Sequence, residues 1–140
     1  MWWIYALLSA FFAALVAIFA KIGIKGVDTD LATAIRTVVI LFLAWAIVLV
    51  KGGEHAIGNL TKQNWTFLIL SGCATGLSWI FYFKALQLGK VSQVAPIDKL
   101  SVALAILLSV LFLGESLTWK SAIGAAMIVG GTFVLIYNND

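Results

Sequence analysis

The sequence predicts an all-α integral membrane protein, a bundle of five transmembrane helices joined by short loops. Two features of the composition predict this: 63% of the 140 residues are hydrophobic and only 11% are charged, far from the mixture of a water-soluble domain. The third observation is the order of residues, since most charges lie between long apolar runs. Residues 1–140 are therefore predicted to form one transmembrane domain.

Five apolar runs are long enough to cross a hydrocarbon core, which takes roughly 17–25 residues. They do not alternate polar and apolar residues and are about twice too long for the strands of a membrane barrel, so we predict helices. The predicted spans are Trp2 to about Ile22, about Leu31 to Val50, about Trp65 to Leu88, Ser92 to Leu113, and Trp119 to Tyr137.

Capping and turn residues flank these spans. Asp28 to Asp30 introduces the second span, and Asn64 is the predicted N-cap of the third. Glycines that favour helix ends follow four spans: Gly26, Gly52-Gly53, Gly89 and Gly114. Aromatic side chains that suit the headgroup region lie near span ends: Trp2, Trp3, Trp65, Trp119 and Tyr137.

An odd number of spans places the two termini on opposite sides of the membrane. Loop cations bias the orientation. Three lie on the N-terminal side: Lys51, Lys62 and Lys120. Four lie on the C-terminal side: Lys21, Lys25, Lys84 and Lys90. If Arg36 and Lys99 within the spans count, the bias is six to three and favours a cytoplasmic C-terminus. If these two residues do not count, the bias is a single charge, and insertion in both orientations is a hypothesis.

Charged residues within spans are costly, about 2.5–3.5 kcal/mol each on insertion scales, and usually face a partner or a cavity. Asp98 and Lys99 lie roughly 9–10 Å inside the fourth span, and Arg36 lies at a similar depth. A polar cavity for an anionic or zwitterionic solute is one interpretation. The other is that Lys21, Lys84 and Lys99 extend to the headgroups as anchors, although the short side chain of Asp98 favours a buried role.

Other polar groups accompany these charges. In the fourth span Asp98, Ser101 and Ser109 recur at helical spacing with Ala105 between them, which predicts a polar stripe on one helix face. Pro96 has no N–H for the carbonyl of Ser92, so backbone polarity is expected near Gln93, although proline in a first turn is also an ordinary helix start. In the third span, Trp79 and Tyr82 are expected either to line a pocket or to pack against neighbouring helices.

Small residues recur four apart and favour close helix packing: Ala6, Ala10 and Ala14, then Gly72 and Gly76, then Ala122, Ala126 and Gly130. The composition argues against other functions. The cations form no block that could bind nucleic acid. The single His55 belongs to a loop and the single Cys73 lies in an apolar run, so we predict no catalytic cluster, no metal and no cofactor.

Three motifs occur in order in the second half of the chain. Tyr-Phe-Lys-Ala-Leu-Gln-Leu-Gly-Lys-Val-Ser-Gln-Val-Ala-Pro-Ile occupies residues 82–97, Leu-Phe-Leu-Gly-Glu-Ser-Leu-Thr occupies 111–118, and Gly124 and Gly130-Gly131 follow. This pattern resembles the EamA-like repeat of the drug/metabolite transporter superfamily. With one repeat and five spans, the chain looks like the family's five-span bacterial and archaeal branch, which implies a bacterial or archaeal cell (inner) membrane.

The resemblance implies secondary transport through a cavity between two inverted repeats. A single repeat needs an inverted partner, so an antiparallel homodimer is the working hypothesis. Glu115 matches the family's loop glutamate and is expected to be structural. The first span lacks the membrane glutamate of the small multidrug resistance proteins, so export of cationic drugs by that route is not expected.

We therefore predict a subunit of a secondary transporter for a small polar metabolite, acting as a dimer. The alternative is a membrane assembly or accessory protein whose buried charges pair with a partner subunit. A membrane enzyme is a third hypothesis, which the missing catalytic clusters disfavour. The predicted residues of the substrate path are Asp98, Lys99, Arg36, Ser101, Ser109, Trp79, Tyr82, Gln93 and Pro96.

Overall fold

The computed structural model describes residues 1–137, which contain no strand and of which 88% are helical. The last three residues of the predicted domain lie outside the described residues. Five membrane-length spans are present, formed by α1 (Trp2–Gly23), α2 (Thr29–Lys51), α3 (Lys62–Leu88), α4 (Val91–Asp98) with α5 (Leu100–Leu113), and α6 (Trp119–Tyr137). The predicted all-α membrane fold is confirmed.

The ends of α2 are fixed by the residues that the sequence indicated. Asp28 is the N-cap, and its carboxylate accepts hydrogen bonds of 3.0 Å from the backbone N–H groups of Asp30 and Leu31. Gly52 closes the helix with a φ of 66°, a left-handed conformation that glycine adopts without a steric penalty. Helix α2 therefore begins at Thr29, two residues earlier than predicted.

The start of α3 corrects one prediction. Asn64 is not the N-cap, because α3 already begins at Lys62 and Asn64 lies in its first turn. The backbone N–H of Asn64 instead donates to the hydroxyl oxygen of Thr61, at 3.2 Å. Thr61 precedes the helix and takes the capping position, since threonine also satisfies a free N–H of the first turn. A short 3₁₀ helix over Gly53–Asn59, not predicted, precedes this turn.

The fourth span is interrupted near its beginning. Helix α4 ends at Asp98 and α5 begins at Leu100, with Lys99 between them. The N–H of Lys99 is shared between the carbonyls of Ala95 (3.3 Å) and Pro96 (3.1 Å). The carbonyl of Lys99 accepts from Val102, three residues on, at 3.0 Å. Unpaired backbone groups were expected near Gln93, but the break lies several residues further on, at Asp98 and Lys99.

By contacts between Cα atoms the chain divides into two compact units. The first unit is Met1–Ile18 together with the chain after Gln87, and within it α4 and α5 both pack against α6. The second unit is Phe19–Gln87, which holds α2, the 3₁₀ helix and most of α3. Each unit brings a different set of the predicted polar residues together.

Few side chains are buried in the described chain, and many large apolar ones are exposed. Phe83 and Leu86 in α3 are the two largest fully buried side chains. Exposed apolar side chains occur along every span, such as Phe42 at 71% and Phe112 at 80% of their maximum. An exterior of this kind suits lipid and helix partners, whereas water would make it an aggregation hazard.

Candidate functional site

Arg36 lies against two aromatic rings of α3. Its guanidinium carbon is 5.2 Å from the ring centre of Trp79 and 4.4 Å from that of Phe83. Trp79 and Phe83 are four residues apart on one helix, so their rings share one face. Both distances are in the range of cation–π attraction. Arg36 lies seven residues into α2, roughly 10 Å along the helix axis.

The rings leave the hydrogen-bonding donors of Arg36 unused. A guanidinium donates in its own plane, whereas an aromatic face offers no lone pair there. One terminal nitrogen, Nη1, is buried and has no hydrogen-bond partner among the described residues. Arg36 as a whole is only half-buried. The guanidinium is thus fixed by ring contacts while part of its donor edge remains unsatisfied.

Two long polar side chains close the ends of α1 and α3 in the same unit. The ammonium group of Lys21 donates to the backbone carbonyl of Leu86. The side-chain amide of Gln87 donates to the carbonyl of Val27, at 3.1 Å. Carbonyls at helix ends and in loops lack intrahelical partners. Lys21 therefore has a structural role here and does more than anchor the helix at the headgroups.

The other predicted residues of this unit differ in burial. Tyr82 is half-buried, and its ring centre lies 5.8 Å from that of Phe83. Trp79 is half-buried, whereas Lys84 is exposed, as expected for an anchor at the end of a span. The sequence analysis missed Phe83. Its position four residues after Trp79, on the same face of a helix, was the available signal.

In the first unit, Asp98 and Lys99 form an ion pair at the helix break. The ammonium nitrogen of Lys99 is 3.2 Å from a carboxylate oxygen of Asp98, and the side chains are 56% and 34% exposed, respectively. Asp98 is the last residue of α4, seven residues after Val91, so the pair lies roughly 10 Å into the span. The predicted pairing of Asp98 with a cation is present.

The polar stripe of the fourth span does not follow one continuous helix. Asp98 belongs to α4, whereas Ser101 and Ser109 belong to α5, beyond the break. Ser101 is exposed, and the hydroxyl of Ser109 donates to the carbonyl of Ile106, at 2.9 Å. Asp98 and the two serines therefore lie on successive helices on either side of Lys99, and one shared polar face stays a prediction.

Thr132 of α6 connects the broken span to its neighbour. Its hydroxyl oxygen lies 2.8 Å from the carbonyl oxygen of Ile128 and 3.2 Å from that of Pro96, which share its single proton, and Thr132 is only 4% exposed. Pro96 and Gln93 are half-buried in α4. The Pro96 carbonyl also accepts from the N–H of Lys99, so Thr132 adds a second donor to it from α6. The sequence analysis missed Thr132, since a lone threonine in an apolar run carries no distinctive signal.

The structure therefore groups the predicted path residues into two sets. Arg36, Trp79 and Tyr82 belong to the second unit. The first unit holds Asp98, Lys99, Ser101, Ser109, Gln93 and Pro96. Within residues 1–137 no three His, Cys, Asp or Glu side chains come together as metal ligands. Both sets offer charge and hydrogen bonds at membrane depth, which suits recognition of a polar solute.

A chain of five membrane-length helices with charged and polar side chains at depth is a multi-pass membrane protein. Comparison with known proteins identifies the group. The EamA-like transporter family matches residues 1–137. This chain belongs to the EamA-like transporter family and is a membrane transporter protein, as the motifs of its second half indicated.

Two relatives extend the comparison. An "Uncharacterized transporter in cobO 3'region" from Sinorhizobium sp is 48% identical over 134 residues, which cover 96% of this chain and 95% of the relative. "Uncharacterized protein MJ1333.1" from Methanocaldococcus jannaschii is 34% identical over 74 residues, 53% of this chain and 54% of the relative. No solved structure matches this chain.

Proposed function

We propose that this chain is one subunit of a secondary transporter that moves a small polar metabolite across a bacterial or archaeal cell membrane. The observation that carries the proposal is the interrupted fourth span, with Asp98 and Lys99 at the break. Secondary transporters use broken helices and charged side chains within the membrane to meet the solute and the coupling ion. Membership of a transporter family supports the same class.

The proposed active form is a homodimer with the two copies inverted. Five spans make an odd unit, and inverted copies of such a unit supply the two gates of alternating access. Surface properties support a partner. At Gly72, Gly76, Gly124 and Gly130, an added Cβ would meet no described atom within 4 Å outside the helix's own backbone. These small residues make no close contact within the chain and are open to packing against a second copy.

The test is solute counterflow in proteoliposomes of the purified protein, with a panel of amino acids, carboxylates, amines and sugars. We expect at least one polar solute to exchange and Asp98→Asn to reduce its rate at least tenfold. Glu115→Gln is the matched control, because Glu115 is an exposed loop carboxylate and should not contact the solute.

An assembly or accessory role would give a different result. No solute would exchange, while Asp98→Asn and Arg36→Gln would weaken association with a partner subunit. That outcome, obtained with protein that remains folded in detergent, would overturn the transporter proposal.

A further inference from the structure

We propose that Arg36, held by Trp79 and Phe83, binds a carboxylate of the transported solute, so that the substrate is an organic monocarboxylate. The inference rests on the proposed transport function and adds the chemical class of the substrate. The ring contacts, the unsatisfied donor and the charges that support it all belong to the second unit.

The first step is the orientation of the guanidinium. Ring contacts at 5.2 Å and 4.4 Å restrict Arg36 through Trp79 and Phe83. Phe83 is only 1% exposed, so its ring is firmly packed. A guanidinium restrained in this way keeps its N–H donors in a fixed planar fork. A ligand then loses less conformational entropy on binding than it would at a free arginine.

The second step is the missing acceptor. Nη1 of Arg36 is buried without a hydrogen-bond partner among residues 1–137. A charged donor in that state is unfavourable, and buried charges normally have a partner. The rings offer no acceptor, so Nη1 lacks one that the described chain could supply. Other atoms of the residue remain accessible, and a ligand reaches Nη1 once the guanidinium turns toward that accessible side. A carboxylate matches the fork with two parallel hydrogen bonds.

The third step is charge. Between residues 19 and 87, all of which the structure describes, Arg36 is the only charged residue that lies in a helix more than four residues from its nearer end. Lys21 donates to the carbonyl of Leu86, and Lys84 is exposed. One available cation at depth balances one negative charge. A monocarboxylate fits this balance, whereas a phosphate dianion would need a second cation.

The experiment measures binding of four monocarboxylates to the purified full chain in nanodiscs of zwitterionic lipid: acetate, benzoate, pyruvate and N-acetylglycine. Each is paired with its neutral amide. We expect at least one carboxylate to raise the unfolding temperature saturably and to change tryptophan emission, while its amide does neither. Arg36→Gln should abolish the effect. Arg36→Lys, which keeps the charge but loses the fork, should weaken binding at least tenfold.

If the arginine variants fail to fold, a substitution of the aromatic residue Trp79 provides the test. Trp79→Leu should weaken carboxylate binding severalfold by freeing the guanidinium, whereas Trp65→Leu, at an exposed residue near the start of the same helix, should not. Carboxylate binding that is unchanged in both Trp79→Leu and Arg36→Gln would overturn the assignment.

Three further outcomes identify other failures. If 20% phosphatidylglycerol stabilises the natural chain but not Arg36→Gln and blocks the carboxylates, the anion is a lipid headgroup and the solute assignment is wrong. If only neutral or cationic solutes bind and exchange, the substrate class is wrong while the transport function stands. If no solute of any class binds or exchanges, the proposed function itself fails.

Discussion

Two charged groups within the spans are held in different ways at the scale of single residues. Arg36 faces two aromatic rings, an interaction of about 0.5–2 kcal/mol. Asp98 instead pairs with the adjacent Lys99 at 3.2 Å. An isolated charge at depth costs about 2.5–3.5 kcal/mol on insertion scales, and each of these two interactions offsets only part of that cost.

The ion pair leads to a prediction about stability. Asp98→Asn leaves the cation of Lys99 without its partner, so the free energy of unfolding should fall by about 1–3 kcal/mol. The double variant Asp98→Asn with Lys99→Gln removes both charges and should recover at least half of that loss. The measurement is denaturant unfolding of purified protein in detergent. A double variant as unstable as the sum of the two single variants would contradict the pairing.

Thr132 gives a second prediction at this scale. Thr132→Val removes the donor to Pro96 while keeping the side-chain shape, and should lower the unfolding free energy by about 0.5–1 kcal/mol. Thr75→Val is the matched control, since the hydroxyl of Thr75 donates to Ser71 of its own helix at an exposed position. Equal effects of the two substitutions would argue against a hydrogen bond between α6 and α4 that stabilises the fold.

At the scale of elements, capping residues at the helix termini account for most of the helix boundaries. Asp28, Gly52 and Gly114 lie where the sequence predicted helix boundaries, because caps act through backbone groups two to four residues away. Thr61 and Asn64, three residues apart, can both cap a helix, and Thr61 rather than the predicted Asn64 does so. The apolar run begins only at Trp65, whereas the helix extends three residues further toward polar Thr61.

The corrected cap is testable. Thr61→Ala should lower the unfolding free energy by about 1 kcal/mol, because the N–H of Asn64 loses its acceptor. Asn64→Ala should change it by less than about 0.5 kcal/mol, since an exposed position within a helix tolerates alanine. Hydrogen exchange of the Asn64 amide should rise in the first variant only. The reverse order of the two effects would restore Asn64 as the cap.

The end of α5 carries another prediction. Gly114 has a φ of 68°, so Gly114→Ala places a Cβ in the left-handed region at a cost of about 1–2 kcal/mol. Gly58→Ala is the control, since its φ is not positive and an added Cβ there meets no described atom within 4 Å. Thermal unfolding of both variants in the same detergent checks the difference. Equal midpoints would mean that α5 does not end in this conformation.

At the scale of the whole molecule, the weak charge bias connects topology to assembly. Three loop-side cations against four, or against six with the cations inside the spans, give little preference for one orientation. An antiparallel dimer needs both orientations in one membrane. The small residues that stay open on helix surfaces supply faces on which such copies can pack.

Orientation can be shifted deliberately. Glu54→Lys with Asn59→Lys adds two cations to the loop between α2 and α3, and should move the N-terminus toward the cytoplasm in most copies. Glu54→Gln with Asn59→Gln is the control. Cysteine accessibility at the two termini, measured from both sides, reports the fraction in each orientation. We expect counterflow to fall as one orientation becomes dominant, and unchanged counterflow would contradict the inverted dimer.

The sequence by itself determined the membrane class, the five spans and most helix ends. Hydropathy is a sum over neighbouring residues, and caps act within one turn, so both are local properties of the chain. It also indicated that Arg36 and Asp98 are exceptional, because a charge inside an apolar run is visible without coordinates. The family motifs added the transporter class.

Only the tertiary structure decided what those residues contact. Lys21 and Leu86 are 65 positions apart in sequence, Gln87 and Val27 are 60 apart, and Thr132 and Pro96 are 36 apart. Hydropathy carries no information about such pairs. The contact of Thr132 with the Pro96 carbonyl beside the break depends on how α6 packs against α4, and the setting of Arg36 depends on which face of α3 lies against α2. Helix packing fixes both, because in lipid it is shape and hydrogen bonding between helices that select the neighbours.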